Sequence, residues 1–329
     1  MMKVGTIGSG MIVDRMIEAM KLTDGISVEA VYSRTMERAV EYAHKHAVKK
    51  AYDDMDDMLA DPSIDTVYVA SPNSLHYAQS KRALEAGKHV ICEKPFAPSV
   101  DQANELFALA RQKGVYIFEA ITTIHVPNFK IVKEHLKDIG EIKMVQCNFS
   151  QYSSRYGKYK EHIVTNVFDP AFNGGALMDI NVYCLHFVTG LFGEPISSRY
   201  IANKGYNGID TSGVVIMEYP GMLAICTGAK DSSSPNHAIV QGDKGTLRVY
   251  GSSCGVCAHV EYLPTKGDMI GKKDADLSQN IGVDQKPHMT YECETFLSVI
   301  ENQDEETYQA LCQQTLRVVS LLEKSLHQI

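Results

Sequence analysis

The stretch VGTIGSGMIV, residues 4–13, decides the fold. A short apolar run ends at Ile7, turns through Gly8-Ser9-Gly10, and opens a helical pattern running from Met11 to Leu22. Strand, tight turn and helix in that order are what a dinucleotide fingerprint requires. The first glycine bends the chain, the second lets backbone approach a pyrophosphate, and the helix N-terminus supplies positive potential. Gly8, Gly10, Met11 and Ile12 are the predicted cradle. The third glycine of the fingerprint is missing, and Val13 in its place predicts a helix set slightly further from its sheet.

Outward from that turn, strands are predicted at residues 28–32, 66–70, 90–92 and 115–118, with helices at 36–46, 74–86 and 100–113. TVYVA, residues 66–70, is a continuous β-branched run of the kind buried on both faces of a parallel sheet. Strand–helix alternation at this spacing gives right-handed βαβ units and a doubly wound α/β domain. The acidic run at residues 53–57 reads as the first turn of a helix, where carboxylates favour the positive end.

After residue 122 the texture changes. Strands are predicted at 143–152, 213–219, 223–228, 238–241 and 246–250, joined by turns such as Pro220-Gly221 and Gly242-Asp243-Lys244-Gly245. Short turns between neighbouring strands make an antiparallel sheet. The predicted architecture is therefore a Rossmann domain over 1–122 and an α/β substrate-binding and oligomerisation domain over 123–329. The second domain is built on an open, mainly antiparallel sheet. A loop over 267–286 is expected on the surface, and helices at 289–301 and 308–327 close the chain. Few helices follow the second sheet, so one face is expected to pair with another copy in a homodimer or higher homo-oligomer.

With 329 residues, 44% hydrophobic and 22% charged, each domain can bury a core. The net charge of -8 argues against nucleic acid or an anionic membrane as partner. No apolar run is expected to span a membrane, and MMKVGTIGSG holds no signal-peptide pattern, so the protein reads as cytoplasmic. Eight cysteines are scattered, and only Cys254 and Cys257 form a CxxC. A lone pair in a strand-like stretch is weak support for a metal, and none is expected.

The second predicted strand ends in Tyr32-Ser33-Arg34-Thr35. An acid there would hold a ribose 2′-hydroxyl; a hydroxyl and a guanidinium suit a 2′-phosphate. Ser33 and Arg34 thus predict NADP, with NAD as the alternative. Ligands bind at the carboxyl ends of parallel strands. Ser71, Pro72, Asn73 and His76 leave one such end, and Glu93 and Lys94 leave the next, with Pro95 restricting the lysine's backbone.

The segment SPNSLHYAQSKRALEAGKHVICEKPFA, residues 71–97, resembles the signature of the Gfo/Idh/MocA oxidoreductases. The resemblance extends over essentially the whole chain. It implies hydride transfer between a nicotinamide cofactor and a sugar, polyol or related small molecule, with Lys94 at the reacting oxygen and a cis Lys94–Pro95 bond. In GGALMDINVYCLHFVTGLFG, residues 174–193, Asp179, Tyr183 and His186 lie on one stripe of an apolar helix. The family implies that Asp179 and Tyr183 face the lysine; alone, His186 reads as a core histidine. Tyr183, where inositol-dehydrogenase-like members have His, is similar to the dihydrodiol dehydrogenase and glucose–fructose oxidoreductase branch. Thr122, in FEAITTIHVPN, departs from that branch's large aromatic, which argues against an aromatic substrate and favours a sugar; a trans-dihydrodiol or dicarbonyl is the alternative substrate. Tyr183 is the expected general acid/base, since a tyrosine's ordinary pKa of about 10 falls beside an ammonium. Thr122 and His186 are expected substrate contacts. The competing reading is a catalytically silent nucleotide- or sugar-binding regulator of the same fold.

Overall fold

In the computed structural model, residues 1–265 and 277–329 are described. The chain divides into two compact units, Met1–Ala120 with Lys286–Val319, and Ile121–Gln285 with Ser320–Ile329.

The first unit is a parallel six-stranded sheet. Its strands are β1 (Met2–Ile7), β2 (Ile26–Tyr32), β3 (Lys50–Tyr52), β4 (Thr66–Val69), β5 (His89–Glu93) and β6 (Ile117–Ala120), in the order β3-β2-β1-β4-β5-β6. Helices α1 (Met11–Lys21), α2 (Met36–His46), α3 (Met55–Ala60), α4 (His76–Glu85) and α5 (Val100–Lys113) make the crossovers. Local chemistry fixes their starts. Thr35 caps α2 and Ser99 caps α5 through their hydroxyls, a contact each worth about 1 kcal/mol. The acidic run resolves as expected: Asp54 accepts from the amides of Asp56 and Asp57 to cap α3. Strand β3 escapes the sequence reading because three half-buried residues carry no periodicity.

The closing helices depart from expectation. Lys286–Val319, assigned to the second domain from its position in the chain, groups with the first unit. In α9 (Met289–Asn302) Phe296 stacks on Phe118 at 4.6 Å, and in α10 (Glu305–Leu326) Tyr308 meets Tyr116 edge-on at 4.8 Å. Amphipathic periodicity shows that a helix has an apolar face, but not which surface that face covers.

The second unit holds a sheet of eight described strands, ordered β14-β13-β12-β11-β7-β10-β9-β8. These are β7 (Ile142–Ser150), β8 (Ser197–Lys204), β9 (Asp210–Tyr219), β10 (Met222–Ala229), β11 (His237–Gly242), β12 (Gly245–Tyr250), β13 (His259–Pro264) and β14 (Gln279–Asn280). Among the described residues only β7–β10 pair in parallel. Inward residues such as Val145, Cys147, Val215, Ala224 and Cys226 are fully buried, while Leu223 and Ile201 on other positions are exposed. Helices α6 (Pro127–His135) and α7 (Tyr156–Lys160) precede α8 (Val182–Phe192). The expected loop over 267–286 falls partly on residues 267–276, outside the described ones. Pro170–Phe192 is long and apolar enough to cross a membrane by length and composition, contrary to expectation, but most of it is buried in the fold.

Candidate functional site

The glycine turn fits a dinucleotide. Gly8 has φ +117°, and a Cβ there would lie 2.5 Å from the Ala70 carbonyl oxygen, so neither the conformation nor the space admits a side chain. Gly10 is the N-cap of α1 without a side-chain cap, and open space surrounds the position of its missing Cβ. A helix N-terminus opening onto free space suits a phosphate. Val13 is fully buried in the core beneath α1. Beside the turn lies a cavity of about 550 Å³ lined by Ser9, Thr35, Glu37, Arg38, Glu41, Tyr42 and Lys45. Arg34 is exposed and does not line it; Ser33 is buried, its amide bound to the Tyr52 carbonyl at 3.0 Å. Arg38 was missed. It is a cation in the first turn of α2, where the helix's own field disfavours one.

The ends of β4 and β5 are locked together. His76 is buried, with Nδ1 at 3.0 Å from the Pro95 oxygen and Nε2 at 2.9 Å from the Ser71 oxygen. Burial pushes its pKa down, so the ring is neutral and donates to one carbonyl at a time. His76 ties the two turns together. Ser71 Oγ is buried without a hydrogen-bond partner among the described residues, a hydroxyl available to a ligand. Pro72 and Asn73 beside it are part-exposed.

Glu93 also departs from expectation. Its side chain turns inward and accepts from Tyr68 at 2.6 Å. Burial, partly offset by the Lys94 charge, pushes its pKa to about 7. Glu119 and Glu292 are buried nearby in charge terms, and Thr315 donates to Glu119 at 2.8 Å. Burial pushes Glu292 well up, and neither of its oxygens has a partner among the described residues, so it is held neutral. Within residues 90–97, Lys94 alone is not buried, and the Lys94–Pro95 bond is cis.

In the second unit, the expected single helix starts as a π turn over Leu177–Asn181 and becomes α only at Val182. The wider turn alters the simple stripe read from α-helical spacing, and such turns recur at functional sites. From 174 to 189 only Asp179 and Tyr183 are accessible. His186, expected at the substrate, is fully buried. The Tyr183 ring lies 5.6 Å from that of Phe149 and against Gly255, where a Cβ would come within 2.7 Å of Cδ1. Thr122, expected at the substrate, is buried and donates to the Gly255 carbonyl at 2.6 Å. Asn128 holds the same turn, donating to the Cys257 oxygen at 2.8 Å. The Cys254–Cys257 pair therefore flanks a turn behind the tyrosine, not a strand. Cys254 Sγ lies 3.6 Å from Cys184 Sγ, and burial pushes Cys257 well up. Among the described residues no three His, Cys, Asp or Glu side chains converge as a metal set.

A 3-2-1-4-5-6 parallel sheet with a glycine turn at its first strand is the doubly wound dinucleotide-binding architecture. The family described as "Oxidoreductase family, NAD-binding Rossmann fold" matches residues 2–121, and the "GFO/IDH/MocA C-terminal domain" matches residues 130–248. The chain belongs to the Gfo/Idh/MocA oxidoreductase family. It is 35% identical to scyllo-inositol 2-dehydrogenase (NADP(+)) IolU of Bacillus subtilis, over 100% of this chain and 97% of that one. It is 31% identical to trans-1,2-dihydrobenzene-1,2-diol dehydrogenase of Sus scrofa, over 68% of this chain and 65% of the relative. KijD10, a 3-ketoreductase from Actinomadura kijaniata solved with NADP and TDP-benzene, shares the fold at TM-score 0.87 and 22% identity, covering 99% of this chain and 97% of that one.

Proposed function

We propose that the protein oxidises a ring CH–OH of an inositol or similar polyol with NADP, and reduces the ketone in the reverse direction. The observation that carries this reading is selective exposure. Two strongly apolar segments bury almost everything except Lys94 in one, and Asp179 and Tyr183 in the other. Nicotinamide, when bound, supplies the hydride acceptor. Lys94 hydrogen-bonds the reacting oxygen, Tyr183 takes the hydroxyl proton, and Asp179 orients neighbouring hydroxyls. Gly8 and Gly10 with the start of α1 hold pyrophosphate, and Ser71 Oγ bonds the cofactor. Arg38 with Arg34 reads the 2′-phosphate, Glu37 and Glu41 at the cavity notwithstanding. The similarity to an NADP-dependent inositol dehydrogenase over the full chain supports the substrate class. Transfer of carbon-bound hydrogen from scyllo-inositol to NADP tests it.

The outward Leu223 and Ile201 support a homo-oligomer through the second sheet. Light scattering should give at least twice the chain's mass at micromolar concentration; a monomer would contradict it.

A further inference from the structure

Among the largest fully buried side chains of the described residues, one is charged: Lys230, 2% exposed, directly after β10. Its backbone is fixed on both sides. The amide donates to the Thr211 carbonyl at 2.9 Å, and the carbonyl accepts from the Ser153 amide at 2.9 Å. Its Nζ donates to Asp179 Oδ2 and lies 5.3 Å from the centre of the Phe168 ring. The pair is asymmetric. The lysine side chain is 3% accessible and the aspartate 34%, so the ammonium supports the carboxylate from the protein interior.

The π turn carrying Asp179 is pinned at both ends. Asp210 Oδ2 accepts from the Leu177 amide at 2.6 Å, and Asn181 Nδ2 donates to the Cys226 carbonyl at 3.0 Å. Gly175, at φ +105°, leaves the room that Asp210 occupies. Asp210 is itself buried and held by Tyr200 at 2.7 Å; burial pushes its pKa up, partly offset by the Leu177 amide, Tyr200 and, least, the Lys230 charge. A buried ammonium is costly without a counter-charge. The side chain that meets it by hydrogen bond is the acid that reaches solvent.

We propose that Lys230 is a positioning residue for substrate recognition: it clamps one oxygen of Asp179, fixing how the accessible part of that carboxylate meets a substrate hydroxyl. This rests on the reading of Asp179 as a substrate-binding group. A lysine that served stability alone could pair with any buried acid; this one is spent on the acid of an otherwise closed segment.

The test uses the full-length chain, scyllo-inositol as probe, and NADPH binding by fluorescence. Lys230→Met should raise KM for scyllo-inositol about ten- to a hundredfold, the worth of a charge-assisted contact, with NADPH affinity unchanged within about twofold. In an Asp179→Asn background the same change should add nothing to KM. A folded Lys230→Met with unaltered KM overturns the proposal. If Lys230→Met does not fold, Lys230→Arg decides: it keeps the charge but moves the carboxylate, so KM should rise about threefold or more, and a smaller rise overturns the proposal. If Asp179→Asn itself leaves KM and kcat unchanged, the reading of Asp179 fails instead, and this inference with it.

Discussion

The two segments that deliver the proposed catalytic side chains reach the same result by different means. In the first unit, β5 is buried on both faces by its neighbours and its register with β4 and β6 delivers Lys94 past the sheet's carboxyl edge. In the second, the regular helix is interrupted. A π turn, held by Asp210 at one end and a β10 carbonyl at the other, lets Asp179 and Tyr183 escape an otherwise buried run. A parallel sheet positions a side chain through backbone pairing, which any compatible sequence reproduces. The helix positions through buried side chains, so it depends on distant residues such as Lys230 and Gly255.

The largest effects test whether both segments serve one reaction. Tyr183→Phe should retain NADPH binding and lose turnover by roughly 10²–10⁴-fold, the usual contribution of a general acid/base. Lys94→Ala should lose at least as much. Near-normal turnover of Tyr183→Phe beside an inactive Lys94→Ala would make the lysine the proton carrier. Normal turnover of both would remove the proposed site altogether.

A smaller effect should separate the two segments. Gly255→Ala places a methyl against the Tyr183 ring without touching the first unit's glycine turn. Turnover of scyllo-inositol should fall by up to about a hundredfold, the cost of misplacing a reacting group by about 1 Å, while NADPH affinity holds. Unchanged turnover would mean that the turn behind Tyr183 does not set its position.

The smallest effect lies under Lys94. Glu93 has a folded-state pKa of about 7 against an ordinary 4.5, so the folded state binds its proton more tightly than the unfolded chain. Stability from this group is full below about 4.5 and is lost as pH rises through about 7. Thermal melts of Glu93→Gln should show a shallower fall in Tm across that window than the unaltered protein. Parallel profiles would show that Glu93 ionises freely in the fold.

Most of the first unit was legible because its signals are local. Gly8, Gly10 and the β-branched TVYVA run each carry their geometry in adjacent residues, and Thr35 and Asp54 mark helix starts directly. Lys94 was legible from the strand before it and the proline after it. That His76 and Glu93 are buried and bonded within the fold was not legible, since spacing does not tell which way a side chain at a strand end points. In the second unit Asp179 and Tyr183 were found as polar interruptions in an apolar run. Lys230 was not, because nothing in a lysine following a strand says that its stem and charge are buried. Gly255 and Thr122 meet across 133 residues of chain, a separation at which no periodicity exists.

The central claim is direct movement of a hydride from a polyol carbon to NADP. Scyllo-inositol deuterated at its ring carbons, incubated with NADP and the purified chain, should yield NADPH one mass unit heavier than NADPH formed from the unlabelled polyol. NADPH formed without deuterium, or no NADPH from scyllo-inositol at all, would contradict the account.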